Sequence, residues 1–261
     1  MLFRSKLTNI LKGLGRVVVA YSGGLDSTCL LKAAVDALGR KNVLAVTARS
    51  ETYPKAEYKE ALAIARKIGA RHITIHTKEL GMPEFNANPV NRCYYCKREL
   101  FRKLDCIRSR YGMKYVLDGT NLDDLKDVRY GRKAAKEFGV KSPLLQAGMT
   151  KSDIRRFSKA LKLPTWNKPP FACLASRLPI GYNITTKDLG RIERAEGYLK
   201  GLGFRQVRLR CHGSIARLEV NGRDLAKALT FRKKIADRLK RLGFKYICLD
   251  IEGYRTGSMN T

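Results

Sequence analysis

Ser22, Gly23, Gly24, Asp26, Ser27 and Thr28 stand between the β-branched run Val17-Val18-Val19 with its following Tyr21 and the helix-favouring Leu30-Leu31-Lys32-Ala33-Ala34. This order predicts a buried strand, a tight turn and the first turns of a helix. A Gly-rich turn feeding a helix N-terminus offers backbone N–H groups and the positive end of the helix dipole, which together suit a phosphate. The glycines let that backbone approach its ligand without an intervening Cβ. Ser22, Ser27 and Thr28 add hydroxyl donors, and Asp26 adds a carboxylate able to hold Mg2+. There is no Lys between Ser22 and Thr28, which excludes a Walker-type loop, and the spacing is not that of a dinucleotide fingerprint either. The competing reading is a strand–turn–helix with no ligand.

Cysteines supply the second set of reactive groups. The chain has seven, Cys29, Cys93, Cys96, Cys106, Cys173, Cys211 and Cys248, an odd number for a disulfide framework. Cys93 and Cys96 form a CxxC that a Pro- and Asn-rich loop delivers onto a helix start, a position that favours thiolate. By itself the motif fits a redox pair, half of a zinc site or two cluster ligands. The three histidines, His72, His76 and His212, leave a tetrahedral zinc dependent on further cysteines. Cys173 lies in Pro169-Pro170-Phe171-Ala172-Cys173-Leu174-Ala175-Ser176-Arg177, a stretch that Pro residues should hold stiffly. Cys29, Cys106, Cys211 and Cys248 sit within apolar patterns and are expected in the core. Arg208 and Arg210 alternate on a strand and so share a face, which makes either a phosphate anchor, with Arg177 as a third member, or a solvated strand face. Glu196 and Glu219 form an acidic site near them or are surface carboxylates.

The elements that must position these groups follow from periodicity. Strands are expected at Val43–Ala48, Arg71–Ile75 and Lys114–Leu117, with helices over Tyr53–Lys67 and from Cys93 onward, where Leu100, Phe101, Leu104 and Ile107 form one apolar face. This alternation predicts an α/β fold, a parallel sheet flanked by helices. Ligands of such sheets sit beyond the C-terminal strand ends, where Ser22–Thr28 would lie, with Thr47–Ser50 as a resting place for an adenine. Asp123, Asp124 and Asp127 form an acidic loop after Asp118-Gly119-Thr120-Asn121. A helix capped by Thr150 or Ser152 follows. Pro164–Pro179 holds four of the eight prolines and marks a junction, giving domains at 1–168 and 169–261. The second is expected to be a smaller α+β module: a helix at Thr186–Leu202, strands at Gln206–Cys211 and Ile215–Val220, a helix at Asp224–Leu242 and a strand at Tyr246–Ile251.

Composition adds bounds. With 261 residues, 44% of them hydrophobic, the chain can bury a substantial core, and no stretch resembles a transmembrane span. The first residues form an amphipathic helix, with apolar Leu2, Phe3, Leu7, Ile10 and Leu11, and too little precedes the first strand for a removable targeting peptide. A cytoplasmic, reducing setting is expected. Lys+Arg 53 against Asp+Glu 23 gives a net charge of +30, a field that attracts polyanions and keeps nucleic acid among the partners.

SGGLDS after a strand resembles the pyrophosphate loop of the ATP pyrophosphatases, which implies cleavage of ATP to AMP and pyrophosphate. The strings NRCYYCKRELF, ACLASRLPIGYNIT and RQVRLRCHGSIARLEV resemble one branch of them, the LarE family of ATP-dependent pyridinium-3,5-bisthiocarboxylic acid mononucleotide synthases, over most of the chain. The resemblance implies a PP-loop domain and a sulfurtransferase reaction for nickel-pincer cofactor synthesis: a carboxylate of a small pyridinium mononucleotide is adenylated and then receives sulfide. Some members give up the sulfur of a cysteine at the place of Cys173. Others hold a [4Fe-4S] cluster on three cysteines, corresponding here to Cys93, Cys96 and Cys173, and a chain with all three resembles the cluster-dependent kind. A homo-oligomer is expected, and the sulfide donor stays open. The second reading is cluster-dependent tRNA thiolation, which the charge favours and the lack of a separate RNA-binding module disfavours. An amidotransferase-fed synthetase lacks its glutaminase domain here, and a pure binding module leaves both loop and cysteines unexplained.

Overall fold

A computed structural model describes residues 2–125, 130–170, 172–255 and 259, with the side chains of residues 2–4 undescribed. Asp127 of the acidic loop and Phe171 of the Pro-rich stretch therefore lie outside the described residues, as do the side chains of Leu2 and Phe3. The elements run α1 (Leu2–Leu14), β1 (Val17–Ala20), α2 (Leu25–Leu38), β2 (Val43–Arg49), α3 (Lys55–Ile68), β3 (Arg71–His76), α4 (Pro83–Asn86), α5 (Arg92–Arg110), β4 (Tyr115–Leu117), α6 (Gly131–Glu137), α7 (Pro143–Gln146) and α8 (Lys151–Ala160). They continue with α9 (Thr186–Gly201), β5 (Val207–His212), β6 (Ile215–Val220), α10 (Leu225–Thr230), α11 (Arg232–Arg241) and β7 (Tyr246–Leu249). Contacts divide the chain into two compact units, residues 1–79 with 91–171 and residues 80–90 with 172–261.

The first unit is built on a four-stranded, all-parallel sheet of order β3-β2-β1-β4. Alternation along β1 sends Val17 and Val19 to one face and Val18 to the other, and each face has its own core. Leu7 and Leu11 of α1, Leu30 and Leu31 of α2, and Ala61 and Ala65 of α3 fill the first, so the amphipathic first helix is part of the fold. Phe101 and Leu104 of α5, flanked by Leu100 and Ile107, fill the second. β2 and β3 extend the sheet to one side of β1 and β4 to the other. The carboxyl ends of β1 and β4 thus mark the reversal of strand order, the switch point where open α/β sheets take their ligands. Thr150 caps α8 in a reciprocal box with Asp153, whose carboxyl lies below its ordinary range because of the Thr150 side-chain and backbone hydrogen bonds.

The second unit is a three-stranded sheet of order β5-β6-β7, with β5 and β6 antiparallel and β6 and β7 parallel. Leu189, Ile192, Ala195 and Leu199 of α9 are buried in this unit. The single helix expected over Asp224–Leu242 is two. Phe231 stands between them at φ −88°, ψ 7°, and the Thr230 hydroxyl back-bonds to Ala226 O, so local side-chain bonding accompanies the break in the ladder. Asn88, at φ 51°, donates through Nδ2 to Pro179 O at 2.6 Å, and Gly181 N and Ile184 N donate to Asn88 O and Asn86 O. These bonds tie α4 and its turn to the stretch after residue 172. No described helix is long and apolar enough to cross a membrane.

Candidate active site and cysteine-bearing elements

Ser22, Gly23, Gly24, Asp26, Ser27 and Thr28 close into one turn between β1 and α2 at the switch point. The turn is held from inside: Ser22 N donates to Ser27 Oγ at 3.3 Å, the Ser22 and Ser27 hydroxyls lie 3.1 Å apart, and Ser27 Oγ reaches Gly24 O at 3.4 Å. Gly23 has φ +65°, and a Cβ there would lie 2.5 Å from Ala61 Cβ, so α3 backs the loop at a distance only glycine permits. Gly119, after β4, brings the other side of the crevice within 3.1 Å of Ser27 N and 3.2 Å of Asp26 Cβ, measured from where its own Cβ would stand. Two glycines therefore let three elements meet at the start of α2. Thr28 is wholly buried, and its N–H bonds to Gly24 O at 3.0 Å.

The loop is also held from behind. The Tyr53 hydroxyl donates to Ser22 O at 2.8 Å, and the Tyr21 hydroxyl donates to Ala61 O at 3.2 Å. Burial is the main cause that pushes Tyr21 up to about 12 and raises Tyr53 further. Lys168 Nζ pairs with Glu57 and Glu60, each at 2.7 Å, and lies 3.3 Å from Gly23 O. Burial opposes its charge, but the hydrogen bonds to Glu57 and Glu60 outweigh that and hold the ammonium above the usual lysine range. Arg155 fixes the backbone around it, donating to Trp166 O at 2.9 Å and Lys168 O at 3.2 Å. Neither Tyr53 nor Lys168 carries a sequence signal, because each reaches the loop only through tertiary packing of α3 and the Pro-rich stretch.

Beyond β2, Thr47 is buried and bonded to Tyr21 O and the His72 ring at 2.9 Å each, so of Thr47–Ser50 this residue faces inward. Burial holds His72 below the ordinary histidine range. Beyond β4, Asp118 accepts from Thr120 Oγ1 at 2.8 Å and Ser142 Oγ at 2.7 Å. Asp123 and Asp124 belong to the α8 approach: Asp123 Oδ2 takes the Lys151 N–H at 2.8 Å, and Asp124 lies 3.6 Å from Lys151 Nζ.

Cys93 and Cys96 lie one helical turn apart at the start of α5, Cys93 exposed and Cys96 partly so. Cys96 Sγ is 3.8 Å from Glu79 Oε1, which also takes the Thr77 hydroxyl at 2.8 Å. Cys173 belongs to the second unit, partly exposed, as the residue that opens the turn Leu174–Arg177. The donor set has the right chemistry for a cluster, since three thiols at least partly reachable from solvent are the ligand type that iron–sulfur clusters take. Among the described residues no group of three or more His, Cys, Asp or Glu side chains is gathered as a metal cage. Two other expectations need correction: Cys29 and Cys211 are core residues, but Cys106 and Cys248 are exposed, on the outer faces of α5 and β7.

Arg177, Arg208 and Arg210 are buried, which overturns the reading of a solvated face. Arg177 forms a two-pronged pair with Glu196, Nε to Oε1 at 2.9 Å and Nη2 to Oε2 at 3.1 Å, and donates through Nη1 to Ala172 O and Cys173 O at 2.7 and 3.0 Å. Arg210 pairs with Glu219 at 2.7 Å and donates to Ser176 O at 3.0 Å. Arg208 lies over the Tyr254 ring, 5.5 Å from its centre. Burial, then the charge of Arg177, lowers its pKa. Glu196 and Glu219 are 5% and 0% exposed, so the expectation of surface carboxylates fails as well. Buried carboxylates of this kind persist only when paired, and here the arginines pair them.

The NAD synthase family matches residues 4–110, which include the loop and the cysteine pair. An uncharacterized protein of Synechocystis is 41% identical over 264 residues, covering 99% of this chain and 98% of that one. The pyridinium-3,5-bisthiocarboxylic acid mononucleotide synthase of Lactiplantibacillus plantarum is 38% identical over 257 residues, covering 98% and 93%. A glutamine-dependent NAD(+) synthetase of Aquifex aeolicus is 40% identical over 74 residues, 28% of this chain.

Proposed function

The chain belongs to the LarE family of pyridinium-3,5-bisthiocarboxylic acid mononucleotide synthases, and from that membership we propose that it is an ATP-dependent sulfurtransferase for nickel-pincer cofactor synthesis, acting on a carboxylate of a pyridinium mononucleotide. The observation that carries the ATP half is the Gly23 turn, an anion-binding backbone closed against Ala61 and Gly119 at the switch point of a parallel sheet. A substrate carboxylate attacks the α-phosphate of ATP. The N–H groups of Gly23 and Gly24 and the Ser22 and Ser27 hydroxyls receive the charge that gathers on the departing pyrophosphate, and Asp26 would hold a magnesium ion that, when bound, would neutralise part of it. Sulfide then displaces AMP from the acyl-adenylate and leaves a thiocarboxylate.

Cys93, Cys96 and Cys173 are the residues that would hold a [4Fe-4S] cluster. When bound, that cluster supplies an iron with a position left open for sulfide. The first two lie one helical turn apart on α5, where i and i+3 side chains are neighbours. Arg177 fixes the peptides on both sides of Cys173 through its bonds to Ala172 O and Cys173 O, which holds the third in place. For the substrate's own phosphate we assign Arg208 and Arg210, with Arg177 behind them. Guanidiniums held in a buried setting beside Glu196 and Glu219 are rigid forks of the kind that bind phosphate through charge-assisted hydrogen bonds.

Anaerobic purification followed by iron and sulfide analysis tests the cluster. A colourless protein free of both, whose Cys173 loses one sulfur in turnover by mass measurement, would replace it with sacrifice of Cys173. Because +30 favours a polyanion, tRNA binding at moderate salt is measured alongside. Binding that survives salt, together with sulfur transfer to tRNA, would move the substrate to nucleic acid.

A further inference from the structure

The bonds at the back of the Gly23 turn fall on two successive carbonyls. Tyr53 takes Ser22 O, and Lys168 takes Gly23 O. In a planar trans peptide the carbonyl of one residue and the N–H of the next point in opposite directions. Fixing Ser22 O therefore fixes the Gly23 N–H on the far side of its peptide plane, and fixing Gly23 O does the same for the Gly24 N–H. These are the two amides that the turn offers to an anion ahead of α2.

The clamp itself is well supported. Glu57 and Glu60 come from the α3 face that carries Ala61, the residue against which Gly23 is packed. Glu57 and Lys168 are both largely withdrawn from solvent, with side chains 15% and 13% exposed. Arg155 holds the chain at Trp166 and Lys168, so the ammonium is delivered from a fixed backbone.

We propose that Tyr53 and Lys168 are positioning residues for pyrophosphate: they aim the Gly23 and Gly24 N–H groups at the leaving group, and Glu57 and Glu60 hold Lys168 in that task. This rests on the ATP reading above. It goes beyond it by assigning the loop's preorganisation to a tyrosine and a lysine distant from it in sequence. Preorganised donors act at no cost of reorganisation when charge develops, so the clamp belongs to the leaving-group half of the site and not to the nucleoside half.

The test measures magnesium pyrophosphate and AMP binding separately, by calorimetry, on the wild type and on Tyr53→Phe, Lys168→Met and Lys168→Arg. Loss of one correctly aimed hydrogen bond to an anion corresponds to weakening of roughly tenfold. That loss is expected for pyrophosphate with Tyr53→Phe and Lys168→Met, while AMP binding is retained and Lys168→Arg recovers part of the pyrophosphate affinity. Tyr53→Phe changes no charge, so its effect is separate from bulk electrostatic attraction, and it decides the matter alone if Lys168→Met fails to fold. Unchanged pyrophosphate binding in Tyr53→Phe, or equal weakening of both ligands, overturns the proposal while the ATP reading stands. A wild type that binds neither ligand overturns both.

Discussion

Arg177 and Glu196 form a buried, two-pronged ion pair in which the guanidinium is 2% and the carboxylate 6% exposed. The same guanidinium holds the carbonyls of Ala172 and Cys173, so the pair both closes the second unit and fixes the backbone at Cys173. Removing one partner of such a pair leaves a buried charge alone, at a cost of about 3–5 kcal/mol. Arg177→Ala is expected to lose stability on that scale in urea unfolding. Arg177→Lys should recover little of it, because an ammonium cannot make the fork and reach two carbonyls as well. A loss below about 1 kcal/mol, the range of a surface pair, would show that the pair is hydrated in solution.

Gly23 faces two separate obstacles to substitution. Its φ of +65° strains any L side chain, and a Cβ would meet Ala61 Cβ at 2.5 Å. Gly23→Ala should therefore abolish ATP-dependent turnover and lower the melting temperature. The double variant Gly23→Ala with Ala61→Gly removes the side-chain clash but keeps a 3.0 Å approach to the backbone Cα at 61 and the left-handed strain, about 1–2 kcal/mol, so it should regain part of the stability without regaining full activity. Full recovery of both would mean that the contact alone, and not the backbone conformation, demands glycine.

High pH should undo the first unit through its buried acids. The Cys29 thiol, ordinarily near 9.0, and the Tyr21 hydroxyl, ordinarily near 10.0, are each pushed up to about 12, chiefly by burial. A raised pKa means that the unfolded chain gives up its proton first. The stability these groups contribute is fully present below pH 9 and drains away as pH climbs through about 12. Each group then withdraws about 1.4 kcal/mol per pH unit across its window. Unfolding by urea from pH 8 upward should show the decline, and Cys29→Ala should make it shallower between pH 9 and 10, where Tyr21 has not yet begun to contribute. A flat profile to pH 11 would contradict the burial of both groups.

Sequence order revealed the loop because a strand, a Gly turn and a helix start are local, and six of its residues lie within one span. The same holds for the sheet, whose strands are short β-branched runs, and for the paired cysteines at the α5 N-terminus. What stayed hidden was fixed by pairing at a distance. Arg208 and Arg210 alternate on a strand in any environment. Only the arrival of Glu196 from α9 and Glu219 from β6 makes their face an interior one, and those carboxylates look like surface residues until the arginines are placed beside them. Lys168 likewise reads as one of many lysines until Glu57, Glu60 and Gly23 converge on it. The exposure of Cys106 and Cys248 is not legible in the sequence for a related reason: an apolar pattern gives the face of an element only when its period is known, and each of these thiols falls on the outer side of its helix or strand.

That sorting of thiols provides a test of the proposed cluster ligands independent of turnover. Cys93, Cys106 and Cys248 are exposed, Cys96 and Cys173 are intermediate, and Cys29 and Cys211 are buried. Alkylation follows thiolate character and access. In protein stripped of iron, Cys93, Cys96, Cys173, Cys106 and Cys248 should react with iodoacetamide, while Cys29 and Cys211 should react only after unfolding. In protein loaded with iron and sulfide, Cys93, Cys96 and Cys173 should be protected together, and Cys106 and Cys248 should react as before. Serine substitution at any one of the three should expose the other two, since a cluster missing one of three protein ligands is lost more readily from its site. Peptide mass analysis reads each cysteine separately. Protection of Cys93 and Cys96 without Cys173 would confine the metal to the first unit and return Cys173 to the role of sulfur donor.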